Sequence, residues 1–360
     1  MKRALKLAAS LAVTLAFSAW AFRDTHWAEQ WASLRAAHYI WLLPYLLVLA
    51  LIHLFRTLRW GCLLSALAPV PFRRLNDASA IGFMMLLVLP FRLGEFARPF
   101  LIAQRTSIRR SAAMTTVVLE RITDGVFVAL LLRGLLFFVP EDAPDVRLVR
   151  IAANVMFSIF FSGLLFLLFA AWHHDRAVRL VRRLVGWASA GLADKAAGIV
   201  DAFVGALKQL PGPGQLLAFF GWTLAYWGIN GLGMWLLATR GFGLPLTIFQ
   251  SYVLLCALVV GVMIPGAPGM MGTFQAAIRV GLALFLPGEL VRGAGLAYAN
   301  VLWLCQTGQQ IGFGLLFLSL DHLSFRDVAG HLKEEGEAIE PQGGLASSRE
   351  GGARGGGAAG

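Results

Sequence analysis

Apolar runs return along most of the chain, broken by short polar stretches. They cover about 40–67, 76–91, 112–139 and 148–172, then about 216–238, 246–264, 272–287 and 295–320. A hydrocarbon core about 30 Å thick needs about 20 apolar residues per helix. The pattern predicts an all-α, polytopic membrane helix bundle of about eight spans. Two related halves, 1–172 and 213–320, are joined by a linker at 173–212, and together they form one transmembrane domain over 1–320. Each half contains one Pro/Gly-broken segment that reads as re-entrant. Residues 1–22 begin with Lys2, Arg3 and Lys6 and continue apolar. Ala19-Trp20-Ala21 has the small-residue character of a cleavage site, yet the run is long enough to stay, and a retained first span is expected.

The linker repeats arginine at helical spacing (Arg176, Arg179, Arg182, Arg183) with Leu180, Val181, Leu184, Val185 and Trp187 between. An amphipathic helix on anionic headgroups and a solvated connector helix both fit this spacing. Residues 321–360 turn polar and then Gly/Ala-rich, which predicts a disordered cytoplasmic tail.

Composition sharpens the class. Of 360 residues, 58% are hydrophobic and 14% charged, with a mean hydropathy of +0.69. Soluble domains are about 25% charged, so an ordinary cytosolic enzyme is excluded. The net charge of +11 would raise nucleic acid as a partner in a soluble protein. Here the basic residues lie in short loops between apolar runs, which the positive-inside rule explains without nucleic acid. The loop 92–110 carries Arg92, Arg98, Arg105, Arg109 and Arg110, whereas 140–147 carries Glu141, Asp142 and Asp145. With basic loops inside, both termini fall in the cytoplasm of a cell with an inner membrane. A crossing at 76–91 would strand five arginines outside, and a re-entrant segment removes that conflict.

Candidate chemistry follows the breaks. Pro90-Phe91-Arg92-Leu93-Gly94-Glu95-Phe96-Ala97-Arg98 interrupts a helix at membrane depth, where a freed backbone needs protein or a water-filled cavity. Glu95 and Arg98 are one helical turn apart and fit an ion pair. Glu120, Arg121 and Asp124 lie inside an apolar run, with both carboxylates on one helix face. Ionisable groups at such depth face a polar interior and a partner, or snorkel if near the headgroups. His53, Arg56 and Arg59 recur at spacing three ahead of Trp60. These arginines fit Glu95, Glu120 or a lipid phosphate as partners; an interfacial anchor is the alternative. The second break, Ile264-Pro265-Gly266-Ala267-Pro268-Gly269-Met270-Met271-Gly272-Thr273-Phe274-Gln275, echoes the first. Paired broken segments in two halves point to a transporter's binding site.

Other signals carry less. Cys62, Cys256 and Cys305 sit in apolar runs without a CxxC and read as small buried hydrophobes. Gly228, Gly231 and Gly233, and the pair Gly308/Gly312, read as helix-packing surfaces. Walker, His-Glu-x-x-His and Gly-x-Ser-x-Gly patterns are missing from the sequence, so no cofactor or metal is expected.

Arg59-Trp60, then Leu89-Pro90 through Gly94-Glu95 to Arg98, then Glu120-Arg121 to Asp124, then Ile264-Pro265 to Pro268-Gly269 and Gly272 stand in an order that resembles a known family. This is the lysylphosphatidylglycerol synthase transmembrane region, or flippase-like domain family, over roughly residues 5–320. The resemblance implies a bacterial inner-membrane protein that moves or binds lipid. Full-length synthases of this family carry a soluble aminoacyl-transferase domain after the membrane part; here only the polar tail follows. Relatives usually carry Glu where this chain has Gln275, which puts a proton-coupled step at that position in doubt.

The expected function is translocation of an anionic or modified phospholipid or a lipid-linked headgroup. Arg56, Arg59, Arg92 and Arg98 would meet phosphate, and Glu95, Glu120 and Asp124 would orient them. Alternatives are an accessory subunit working with a separate synthase or envelope protein, and an intramembrane headgroup transferase using Glu120 or Asp124 as base.

Overall fold

The computed structural model describes residues 27–89, 94–139, 141, 146–186, 211–263 and 268–320, with isolated positions at 15, 18–19, 191, 197–198, 200 and 204. The expected first span, much of the linker, the tail, and the site residues Arg92 and Pro265 lie outside them. Among the described residues there are helices and no strands.

A helix not anticipated in the sequence, α1 (Trp27–Ala36), precedes α2 (Leu42–Leu64). Helix α3 (Phe72–Val88) starts after Pro71 and ends where Leu89 turns extended, the conformation that a following proline favours. A short α4 (Ala97–Arg105) leads to α5 (Arg110–Leu135), which closes in a 3-10 turn at Leu136–Phe138. Then come α6 (Val146–Trp172) and α7 (His174–Gly186). Helix α8 (Pro213–Leu236) has proline in its first turn, where no donor is lost. Helix α9 (Ile248–Val262) opens on a capping box. Thr247 Oγ1 accepts from the Gln250 amide at 3.3 Å, and Gln250 Oε1 accepts from the Thr247 amide at 2.9 Å. Helix α10 (Thr273–Ala283) and α11 (Leu296–Leu320) complete the bundle.

Among the described residues, three helical stretches are long and apolar enough to cross a membrane: Tyr39–Leu64, Val146–Trp172 and Gly288–Leu320. The count of about eight is not reached by this measure. The reasons are physical: α3 has 17 residues, α10 has 11, and α5 carries Glu120, Arg121, Asp124 and Arg133.

Both broken segments are helical hairpins. In the first, Arg74 Nη1 donates to the Arg105 carbonyl at 2.5 Å, so the start of α3 lies beside the end of α4. Gly82 faces Arg98, and Gly94 lies on the backbone of Met85 and Leu86. The chain therefore rises along α3 and returns along α4 to the level it left, as a re-entrant segment does. In the second, Gly261 meets Ala277 and Gly281 meets Leu254, which sets α9 and α10 antiparallel. The glycines let the helices approach closely.

Helix α11 holds the two hairpins together. Its Gly314 receives Met84 of the first, and Trp303 Nε1 donates to the Gly269 carbonyl in the tip of the second at 2.7 Å. The turn Pro268–Met270 also touches α3. Elsewhere, Gly231 packs on Tyr252 and Gly233 on Val48 and Tyr45, so these two are packing surfaces as expected; Gly308 and Gly312 meet nothing within 4 Å.

Candidate functional site: a buried arginine–carboxylate network

Five helices deliver charged or aromatic side chains to one interior point. Arg59 comes from α2, Arg98 from α4, Glu120, Arg121 and Asp124 from α5, Phe83 from α3, and Tyr226 and Trp227 from α8. The i,i+4 spacing on α5 aims both carboxylates at α2. Arg59 and Glu120 are fully buried, and Arg98 is 3% exposed.

The geometry is dense. Arg59 grips Asp124 with two nitrogens, Nη1 to Oδ1 and Nη2 to Oδ2, both at 2.6 Å. Its Nη2 also donates to Glu120 Oε1 at 2.8 Å. Arg98 forks onto Glu120 Oε1 and Oε2, each at 3.2 Å. Arg121 Nη2 adds a bond to Glu120 Oε1 at 3.2 Å, and Trp227 Nε1 donates to Asp124 Oδ1 at 3.2 Å. Planar guanidinium suits such paired recognition of carboxylate. Aromatic rings line the cationic faces: Arg98 lies 4.2 Å from the Trp60 ring centre and Arg59 4.7 Å from that of Tyr226. Trp60 is itself fixed by its bond to Thr116 Oγ1 at 3.0 Å.

Arg56 differs from its neighbours. It sits 3.5 Å over the Phe83 ring centre. Among the described residues it meets no carboxylate; its Nε, like those of Arg59, Arg98 and Arg121, is buried without a hydrogen-bond partner. The arginines Arg56, Arg59, Arg98 and Arg121 thus stand against Glu120 and Asp124, with Glu95 in electrostatic reach of Arg121. Arg59 and Arg98 are buried with Glu120 and Asp124, a balanced set, while Arg56 and Arg121 are half-buried beside it and give the edge of the network its net positive charge.

One expected pairing is corrected. Arg98 does not turn to Glu95, three residues before it. It reaches across to Glu120, because α4 begins only at Ala97 and Glu95 lies in the 3-10 turn before it, so the two are not set one α-helical turn apart. Gly94 is a packing glycine beneath this turn.

The second hairpin tip lies on a separate polar patch. Gln275 Oε1 accepts from the Gly272 amide at 2.8 Å, and its Nε2 donates to Asn300 Oδ1 at 3.3 Å. Gly269 and Gly272 have φ of 75° and 86°, and Met270 has φ of 56°. Left-handed backbone of this kind suits glycine and strains methionine. Gln306 Nε2 on α11 donates to the Tyr45 hydroxyl at 3.1 Å.

Several of these residues were not singled out from the sequence: Phe83, Thr116, Tyr226, Trp227, Asn300, Trp303 and Gln306. For Asn300 and Gln306 a signal existed, since amides inside an apolar span seek polar partners. For the aromatic residues none did, because an aromatic in an apolar run reads as core.

Two broken hairpins, the first against a buried ion network and the second on a separate polar patch, in an all-helical chain with span-length apolar helices, define a polytopic membrane protein. Residues 7–307 match the lysylphosphatidylglycerol synthase TM region. The chain belongs to that family, whose description ties it to membrane lipid synthesis or transport. No curated protein and no solved structure matches it.

Proposed function

We propose that this chain is a lipid translocator of a bacterial inner membrane, both termini cytoplasmic, which carries a phosphate-bearing headgroup past the arginine network between its two hairpins. The observation that supports this most is the charge balance. Every carboxylate oxygen of Glu120 and Asp124 already accepts from a guanidinium. A cationic headgroup would find no free carboxylate there, whereas an anionic one finds Arg56. Arg59 and Arg98 act as counter-ions that set the shape of the site, and Glu120 and Asp124 orient them. By their place in the sequence Arg92, Pro265 and Pro268 are assigned to the same path, and Gly94, Gly269 and Gly272 let its hairpins turn. Rocking of one hairpin-bearing half against the other would alternate access.

The transferase reading loses its support in the same geometry, since neither Glu120 nor Asp124 is left as a general base. Leaflet exchange in vesicles containing the purified chain and labelled anionic lipid, read with an impermeant quencher, tests the proposal. Exchange above protein-free vesicles is expected, and greater for anionic than for aminoacylated lipid. Folded protein that exchanges neither would overturn the reading and leave the accessory-subunit alternative.

A further inference from the structure

At the far end of α5, away from the network, a second cationic site opens. A cavity of about 500 Å³ lies between the end of α5, the 3-10 turn and the first turns of α6. That volume is within the range of ligand pockets, about 300–1,000 Å³. Its polar wall holds Arg133, Glu141, Arg150 and Asn154.

Arg133 Nη1 donates to Asn154 Oδ1 at 2.8 Å, which fixes the guanidinium against α6. Among the described residues no carboxylate pairs with Arg133, so most of its five N–H donors remain. Arg150 meets Glu141 at 3.2 Å, but the Glu141 side chain is 89% exposed and water competes for it. Two guanidiniums and an anchored amide thus converge on one hollow.

The surroundings decide what kind of molecule enters. Phe137 and Phe138 beside the cavity are 80% and 76% exposed, and Leu148, Ile151 and Val155 continue an exposed apolar strip along α6. Helix α6 is one of the helices able to span a membrane. A free inorganic anion would use the guanidiniums and leave this strip bare. An amphiphile uses both, with its phosphate at Arg133 and Arg150 and its acyl chains along α6.

We infer that the α5–α6 end is a phospholipid-binding site, selective for an anionic headgroup and distinct from the internal network. It does not require the chain to move lipid. It rests on the cavity, the Arg133–Asn154 anchor and the apolar strip.

The test uses the full chain in phosphatidylcholine nanodiscs with a trace of photoactivatable phosphatidylglycerol or of its phosphatidylcholine counterpart. Cross-links are mapped by peptide. Phosphatidylglycerol is expected to label Leu130–Phe157 about tenfold more than phosphatidylcholine, the ratio that one charge-assisted contact supports. Arg133→Gln with Arg150→Gln should bring labelling to the phosphatidylcholine level, and the lysine pair should keep most of it. Unlabelled phosphatidylglycerol should displace the probe, and inorganic phosphate should not. Equal labelling of the wild-type chain by both lipids would overturn the inference, as would labelling that survives in the glutamine pair or displacement by inorganic phosphate. The wild-type comparison stands even if a variant fails to fold.

Discussion

Arg59 and Asp124, 65 residues apart, form a two-pronged ion pair with both contacts at 2.6 Å inside an apolar bundle. The pair ties α2 to α5 at the point where α4 and α8 also arrive. Removing one partner of an isolated buried pair costs about 3–5 kcal/mol. Asp124→Asn should cost less, because Arg59 keeps its bond to Glu120, but should still lower the thermal unfolding midpoint in detergent. Arg59→Met combined with Asp124→Leu should be milder than the sum of the single changes. A double-mutant cycle measures the difference, and additivity would show that the pair is not coupled.

Arg56 supports a separable outcome. It carries no ion pair among the described residues, so Arg56→Gln should leave the unfolding midpoint almost unchanged. Loss of one charge-assisted contact to phosphate is worth about 1.5–3 kcal/mol, which is about tenfold to a hundredfold in affinity. Titration with short-chain phosphatidylglycerol reads this directly. Unchanged affinity with unchanged stability would remove Arg56 from the path.

The first hairpin closes only because Gly94 has no side chain. A Cβ there would overlap the backbone of Met85 and Leu86, whereas one at Gly134 would meet nothing within 4 Å. Gly94→Ala should reduce the yield of folded protein strongly. Gly134→Ala, in the last turn of α5, should be neutral or stabilising by a few tenths to about 1 kcal/mol. Size-exclusion profiles of the two variants, expressed side by side, compare them.

Trp303 latches the second tip through its indole bond to the Gly269 carbonyl at 2.7 Å. Trp303→Phe keeps an aromatic ring but removes the pyrrole part with its N–H, and the lost bond is worth about 0.5–1.5 kcal/mol. Amide exchange across Pro268–Gly272 should quicken by roughly two- to tenfold, while exchange in the middle of α11 stays the same. Equal protection in both proteins would show that the latch does not hold the tip.

Gln275 acts at both ends of its amide, as acceptor from Gly272 and donor to Asn300. Gln275→Met, close in size, leaves the buried Gly272 N–H without its acceptor, at a cost of about 1–3 kcal/mol. The unfolding midpoint should fall, and Asn300→Ala on that background should add little. Equal losses from Asn300→Ala in both backgrounds would show that the two amides do not act together.

Periodicity and hydropathy alone determined the helical class, the positions of the apolar helices and the two breaks. Those properties are local: a Pro/Gly interruption and a run of leucines act through their own backbone and their own transfer to lipid. The ionisable cluster around Glu120 was legible for the same reason, since ionisable residues within apolar runs are rare and costly. Partner choice was legible only in part: Arg59 with Glu120 was among the expected pairings, and Arg59 with Asp124 was not. Glu95 and Arg98 are neighbours in sequence, yet Arg98 reaches Glu120, because only the closed α3–α4 hairpin sets its side chain against α5. The tertiary structure likewise decided that Arg56 meets no carboxylate among the described residues, that Trp227 bonds Asp124, and that Trp303 holds a carbonyl 34 residues away. Each depends on which faces of distant helices meet, and that is settled by packing the whole bundle at once.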